Sequence, residues 1–259
     1  MTVVFVHGAP ETADIWDGVR AHIDTDSVAL MLPGFGRGRP DSFGASKDEY
    51  AEWLVAELRR MRGPIDLVGH DVGALLTYRI VTRPDIALRS WVADIASSMH
   101  PDYVWHELAK IWQTAGAGEE FVRQGVAADV DARGSVAASL RSAGAPDPHA
   151  IRMQQRFDAE MGKSLLDFYR SAIPNPYRGW GDQLKRSDVP GLVINPVRDQ
   201  FDDYLLAGDV ARQLGATFYL MPEAGHWWML EDPASAAAAL NDFWESLFPR
   251  EGSHWPFHA

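Results

Sequence analysis

Ile65-Asp66-Leu67-Val68-Gly69-His70-Asp71-Val72-Gly73-Ala74-Leu75-Leu76 is the stretch on which the fold of this chain turns. A short apolar run ends in Gly-x-Asp-x-Gly, and an apolar-periodic helix follows. Strand, tight turn and helix in that order lift the central side chain above the carboxyl end of a sheet. Gly69 and Gly73 make room for so sharp a turn, and Asp71 is the residue lifted. The following helix aims its first N–H groups, and the positive end of its dipole, at the same point.

Aspartate in that place selects the electrophile. A carboxylate attacking an ester carbonyl gives an anhydride, an unproductive route. Attack on an sp³ carbon with a strained or good leaving group gives an alkyl ester on the protein, which water can cleave at the aspartyl carbonyl.

Outward from the elbow, short buried-type strands alternate with helices. Residues 2–6, 28–32, 65–69, 90–95, 192–197 and 217–221 read as strands. Residues 47–61, the stretch from the elbow to about Thr82 (stopped by Pro84), and residues 233–248 read as helices, and the remaining C-terminal residues as a tail. That alternation predicts an α/β fold with a mostly parallel sheet and helices on both faces. Residues 97–187 break the pattern, with helical signals and Gly/Pro interruptions but no buried strand. An insertion there follows the carboxyl end of a strand and would lie over the crevice where such sheets bind ligands. The expected organisation is a core of residues 1–96 and 188–259 with a helical cap of residues 97–187.

Composition narrows the function. The chain has 259 residues, 46% hydrophobic and 23% charged, enough for one large domain with an excursion. A net charge of -12 argues against nucleic acid and against anionic membrane surfaces. There is no cysteine, hence no disulfide framework and no thiolate metal site. No run has the length of a membrane span or the form of a signal peptide, so a soluble, cytoplasmic protein is expected.

Four motifs together resemble the α/β-hydrolase superfamily over essentially the whole chain: His7-Gly8-Ala9-Pro10, the Gly69-to-Gly73 elbow, Asn195-Pro196-Val197-Arg198-Asp199 and Gly225-His226-Trp227. Their order, nucleophile then acid then histidine, is that of the family. One departure is that nothing precedes the first strand, so the family's N-terminal hairpin is not expected and about six strands remain.

The resemblance assigns roles. Asp71 is the nucleophile, His226 the base that activates water, and Asp199 the acid that orients it, with Asp94 as the alternative acid. The N–H groups of Ala9 and Val72 become the oxyanion donors. Haloalkane dehalogenases carry a halide-binding Trp after the nucleophile and fluoroacetate dehalogenases an Arg; here that residue is Val72. Epoxide hydrolases use cap acids on the ring oxygen, and Leu166-Asp167-Phe168-Tyr169-Arg170-Ser171 resembles their second tyrosine segment. Tyr103-Val104-Trp105-His106-Glu107 resembles a bacterial subgroup with His at the first position, which makes His106 the partner of Tyr169 and Tyr103 its alternative. The H-G-x-P form also resembles epoxide hydrolases and admits a cis bond before Pro10.

These features imply an epoxide hydrolase with no cofactor and no metal, acting on a small apolar or mixed-polarity molecule. The alternatives are a hydrolytic dehalogenase, with Trp105 or Trp112 holding the halide, and a non-catalytic binding homologue. The oligomeric state stays open, a homodimer included.

Overall fold

The computed structural model describes residues 1–83 and 85–247. Pro84, Phe248 and the expected C-terminal tail lie outside the described residues. Six strands form one sheet: β1 (Thr2–Val6), β2 (Ser27–Leu30), β3 (Ile65–Gly69), β4 (Ser90–Ala93), β5 (Gly191–Pro196) and β6 (Thr217–Met221). They lie in the order β2-β1-β3-β4-β5-β6 and every pair is parallel. The expected mostly parallel sheet is therefore wholly parallel among the described residues, the architecture of the α/β-hydrolase fold.

The middle strands are apolar on both faces because helices cover both. β3 is buried along its whole length. Its one charge, Asp66, is answered by Arg89 and by the Ser90 hydroxyl at 2.6 Å. Between β1 and β2 run a 3-10 turn (Ala13–Trp16) and the short α1 (Asp17–Arg20). α2 (Lys47–Arg60) starts at a reciprocal cap: the Ser46 hydroxyl accepts the Glu49 N–H, and the Glu49 carboxylate accepts that of Ser46. It buries Tyr50, Leu54 and Leu58. α3 (Val72–Val81) follows the elbow.

Between β4 and β5 the described chain is helical and without strands: α4 (Glu107–Gln113), α5 (Ala117–Ala127), α6 (Val136–Ser142), α7 (Asp147–Arg156) and α8 (Ala159–Ser171). The excursion is tied down on α2, where Lys47 Nζ donates to the Pro176 carbonyl at 3.1 Å and Trp180 Nε1 donates to Asp48 at 2.7 Å. α9 (Tyr204–Leu214), α10 (Trp228–Glu231) and α11 (Pro233–Leu247) complete the fold. No described helix is long and apolar enough to cross a membrane.

Register places the site. Val6 pairs with Gly69, and Gly69 with Ala93, so the carboxyl ends of β1, β3 and β4 are level. The chain leaves β1 toward β2 on one side and returns to β3 on the other. The resulting crevice at this switch point is where open parallel sheets bind ligands.

Candidate active site

Asp71 joins β3 to α3 with φ 50° and ψ −116°, a conformation that a non-glycine residue adopts only under constraint. Close backbone supplies the constraint. A Cβ on Gly69 would fall 2.2 Å from the Gly73 carbonyl oxygen, and one on Gly73 would fall 2.3 Å from that of Val6. A Cβ on Gly8 would meet the Asp71 Cβ at 2.5 Å. With these glycines in place, the Asp71 carboxylate lies against the turn after β1, where the Ala9 N–H donates to Oδ1 at 2.9 Å. The Ala9–Pro10 peptide is cis. Val72 is the first residue of α3, whose leading N–H groups have no carbonyl of their own helix to bond. Burial pushes the Asp71 carboxyl up to about 6 against the opposing charges of His226 and His70.

His226 follows β6, and its Nδ1 stands 2.8 Å from Asp199 Oδ2. The other Asp199 oxygen accepts the Phe201 N–H at 2.8 Å. Burial alone would strip the proton from His226, but the Asp199 charge outweighs it and holds the imidazole above its ordinary range. Burial likewise opposes the charge on Asp199, and His226 overrides it, leaving that carboxyl below its usual range.

Asp94 has other partners. Its Oδ1 accepts the Asp71 N–H at 3.0 Å, and its Oδ2 lies 2.5 Å from His70 Nδ1 and accepts the Trp228 indole N–H at 2.7 Å. Of the two acids considered from sequence, Asp199 is the one against His226.

In the excursion, the Tyr169 ring packs on Trp112 at 4.6 Å and on Trp105 at 5.0 Å, and Tyr103 packs on Trp105 at 5.4 Å. Both phenols are held above the ordinary tyrosine range, by burial first and then by the Asp71 charge. Both therefore stand in the field of that carboxylate. His106 caps α4, its Nδ1 accepting the Ala109 N–H at 3.2 Å. Burial, helped by the His226 charge, lowers it to about 4, so the ring is neutral with its proton on Nε2. Phe201 packs on both His106 at 4.5 Å and His226 at 4.9 Å.

Two residues at the site were not singled out from sequence. Glu11 is 1% exposed; its Oε2 accepts the Gly8 N–H at 2.9 Å and its Oε1 accepts the Trp227 indole N–H at 2.5 Å. His70 is wholly buried between two acids, with Nδ1 on Asp94 and Nε2 3.3 Å from Glu11 Oε1. Burial would deprotonate it, but Asp94 and Glu11 together hold it well above its ordinary range. In exchange, the His70 charge overcomes the burial of Glu11 and draws that carboxyl down to about 2. Glu11 directly follows Pro10 of one quoted motif and His70 lies inside the elbow beside Asp71; a titratable side chain in a turn at the carboxyl end of a strand is the signal they carry.

The family model described as "Alpha/beta hydrolase family" matches residues 3–240. The (E)-2-((N-methylformamido)methylene)succinate hydrolase of Acinetobacter baylyi is 28% identical over 93 residues, which are 34% of this chain and 35% of that protein. The matched part thus spans about a third of that relative's length. Among solved structures, a haloalkane dehalogenase from Bradyrhizobium elkani superposes with a TM-score of 0.72 at 18% identity, covering 95% of this chain and 91% of the other. A putative ancestral haloalkane dehalogenase gives 0.73 at 19% identity, with 93% and 91% covered. The thioesterase domain from the curacin biosynthetic pathway gives 0.65 at 16% identity, with 93% and 90% covered. At these identities the likeness is one of fold.

Proposed function

The chain belongs to the alpha/beta hydrolase family, and from that premise we propose that it opens an epoxide to a vicinal diol through an ester on Asp71. The observation that carries this reading is Asp71 itself: a carboxylate at the elbow, met by the Ala9 N–H, in the company of His226 backed by Asp199. An Asp71 oxygen attacks a ring carbon, the ring C–O bond breaks, and its electron pair stays on the oxygen. A phenol gives that oxygen its proton. Water then adds to the Asp71 carbonyl carbon while His226 takes a proton from it, and the Ala9 and Val72 N–H groups stabilise the oxyanion. Collapse breaks the ester, releases the diol and restores the carboxylate. The proton on His226 returns, by way of solvent, to the phenolate.

Tyr103 and Tyr169 are the proposed donors, because both share the Asp71 field. His106 is left to cap α4 and support Phe201. Residues 97–187 act as the cap, and the proposal includes a cytoplasmic setting and no cofactor.

One observation favours hydrolytic dehalogenation as a second reading. Trp112 Nε1 is buried without a hydrogen-bond partner and is a donor that a departing halide can use. Against it, Trp105 Nε1 already donates to the Ala172 carbonyl at 3.0 Å, and Val72 brings no side-chain donor. The test is intact mass spectrometry of His226→Gln after exposure to epoxides and to alkyl halides, since the first half-reaction survives while ester hydrolysis stalls. A mass gain of a whole epoxide on Asp71 supports the proposal. A gain of the alkyl group with halide released moves the chain to dehalogenation, and no adduct at all moves it to a binding role.

A further inference from the structure

Glu11, His70 and His226 form a constellation that the proposed reaction uses only in part. All three are buried, and one potential ligand atom from each lies within 4.8 Å of the others. The two histidines are supported alike. His70 gives Nδ1 to Asp94 at 2.5 Å, and His226 gives Nδ1 to Asp199 at 2.8 Å. That leaves Nε2 of each ring. His70 Nε2 is buried and makes no hydrogen bond, although Glu11 Oε1 is 3.3 Å away.

An imidazole whose far nitrogen is held by a carboxylate is the usual arrangement of a metal-ligating histidine, because the carboxylate fixes the tautomer and the ring orientation. Here the arrangement occurs twice, on neighbouring rings whose centroids are 4.6 Å apart. The 3.3 Å between His70 Nε2 and Glu11 Oε1 matches the edge, roughly 3.3 Å, of a tetrahedron with bonds of about 2.0–2.1 Å. Two imidazoles and one carboxylate are a zinc donor set. Glu11 Oε2 is already fixed by the Gly8 N–H, so the carboxylate that would ligate is itself oriented. Charge agrees with geometry: Glu11, Asp94 and Asp199 each contact one of the two imidazoles, and Asp71 lies in the field of both.

We propose that Glu11 Oε1, His70 Nε2 and His226 Nε2 form a binding site for a divalent cation of the zinc class. Zinc takes the place of the proton between His70 and Glu11, which leaves to solvent. It also occupies Nε2 of His226. The cation is therefore an inhibitor rather than a cofactor, because it removes the base that cleaves the Asp71 ester. Only this inhibitory consequence rests on the proposed function; the binding does not.

The test uses the full chain, stripped with a chelator and dialysed, with cobalt(II) as the spectroscopic probe and zinc as its competitor. One equivalent of cobalt should give the intense visible absorption of a four-coordinate ion, and zinc should abolish it. Calorimetric zinc affinity should fall about tenfold or more in Glu11→Gln and His70→Asn. The triple variant His22→Ala, His100→Ala, His149→Ala should keep it, which separates the site from other histidines. Where either of the first two variants loses its near-UV dichroism, His226→Gln gives the same comparison. Absence of the cobalt band, or zinc affinity unchanged in the ligand variants, overturns the proposal. Either result is read without turnover, so it stands apart from the fate of the epoxide reading.

Discussion

Asp94 fastens Asp71: the Asp71 N–H donates to Asp94 Oδ1 at 3.0 Å. Its second oxygen holds His70, so one buried carboxylate ties the strained elbow to a buried imidazolium. Removing Asp94 leaves His70 with Glu11 as its one remaining acid and takes the acceptor from the Asp71 N–H and the Trp228 indole; breaking a buried ion pair in this way costs about 3–5 kcal/mol. Asp94→Ala should therefore lose at least about 3 kcal/mol in urea unfolding at pH 7. A loss well under 1 kcal/mol would show that the pair carries no such weight.

Asp71 should reduce stability where it is ionised. Its carboxyl is raised from 3.8 to about 6 by burial, so the folded protein binds that proton more tightly than the unfolded chain does. Stability contributed by this group therefore falls as pH rises from about 4 to 6, and the ionised form costs about 3 kcal/mol above that window. Asp71→Asn should be more stable than the parent by up to about that amount at pH 8, and the difference should vanish below about pH 4. Paired thermal melts in chelated buffer at both pH values check this.

The same ionisation sets the rate of adduct formation. Only the carboxylate is a nucleophile, so alkylation of Asp71 should decline as pH falls through about 6. His226 helps to hold that value down, so the midpoint should move upward in His226→Gln. A rate of mass gain independent of pH between 5 and 8 would remove Asp71 from the reaction.

Asp199→Asn leaves His226 without the charge that stabilises its protonated form. Turnover should fall on the order of 10³–10⁴-fold while the ester on Asp71 accumulates. Rapid-quench mass spectrometry distinguishes this from a slow first step, in which no ester would build up.

Tyr103→Phe and Tyr169→Phe should each slow epoxide opening by about 10²-fold or more and leave hydrolysis of a preformed ester unchanged. An alkyl halide needs no proton donor, so its reaction should be spared. Equal slowing of epoxide and halide would mark the two rings as structural.

The strands were legible because each is a short β-branched or aromatic run that stops at a turn residue, and the elbow because only glycines admit its backbone contacts. α9 was harder to see. Its start, Tyr204 and Leu205, exposes apolar side chains at 52% and 72%, which blurs the amphipathic pattern. The charged network at the site was not legible for another reason. Glu11 and His70 acquire their meaning from burial against each other and against Trp227, a relation between distant parts of the chain. Sequence offers His106 first and Tyr103 as its alternative, because motif spacing says nothing of how the folded loop orients either ring.

The Trp227 indole N–H reaches Glu11 across 216 positions of the chain. During synthesis, Glu11, His70 and Asp94 emerge long before the two indoles and the histidine that complete their surroundings. A nascent chain therefore holds Glu11 and Asp94 without their indole partners until Trp227 and Trp228 have been translated. The surroundings of Asp71 are thus complete only late in the chain, and a chain truncated before Trp227 would keep that carboxylate without the two indoles that bind Glu11 and Asp94.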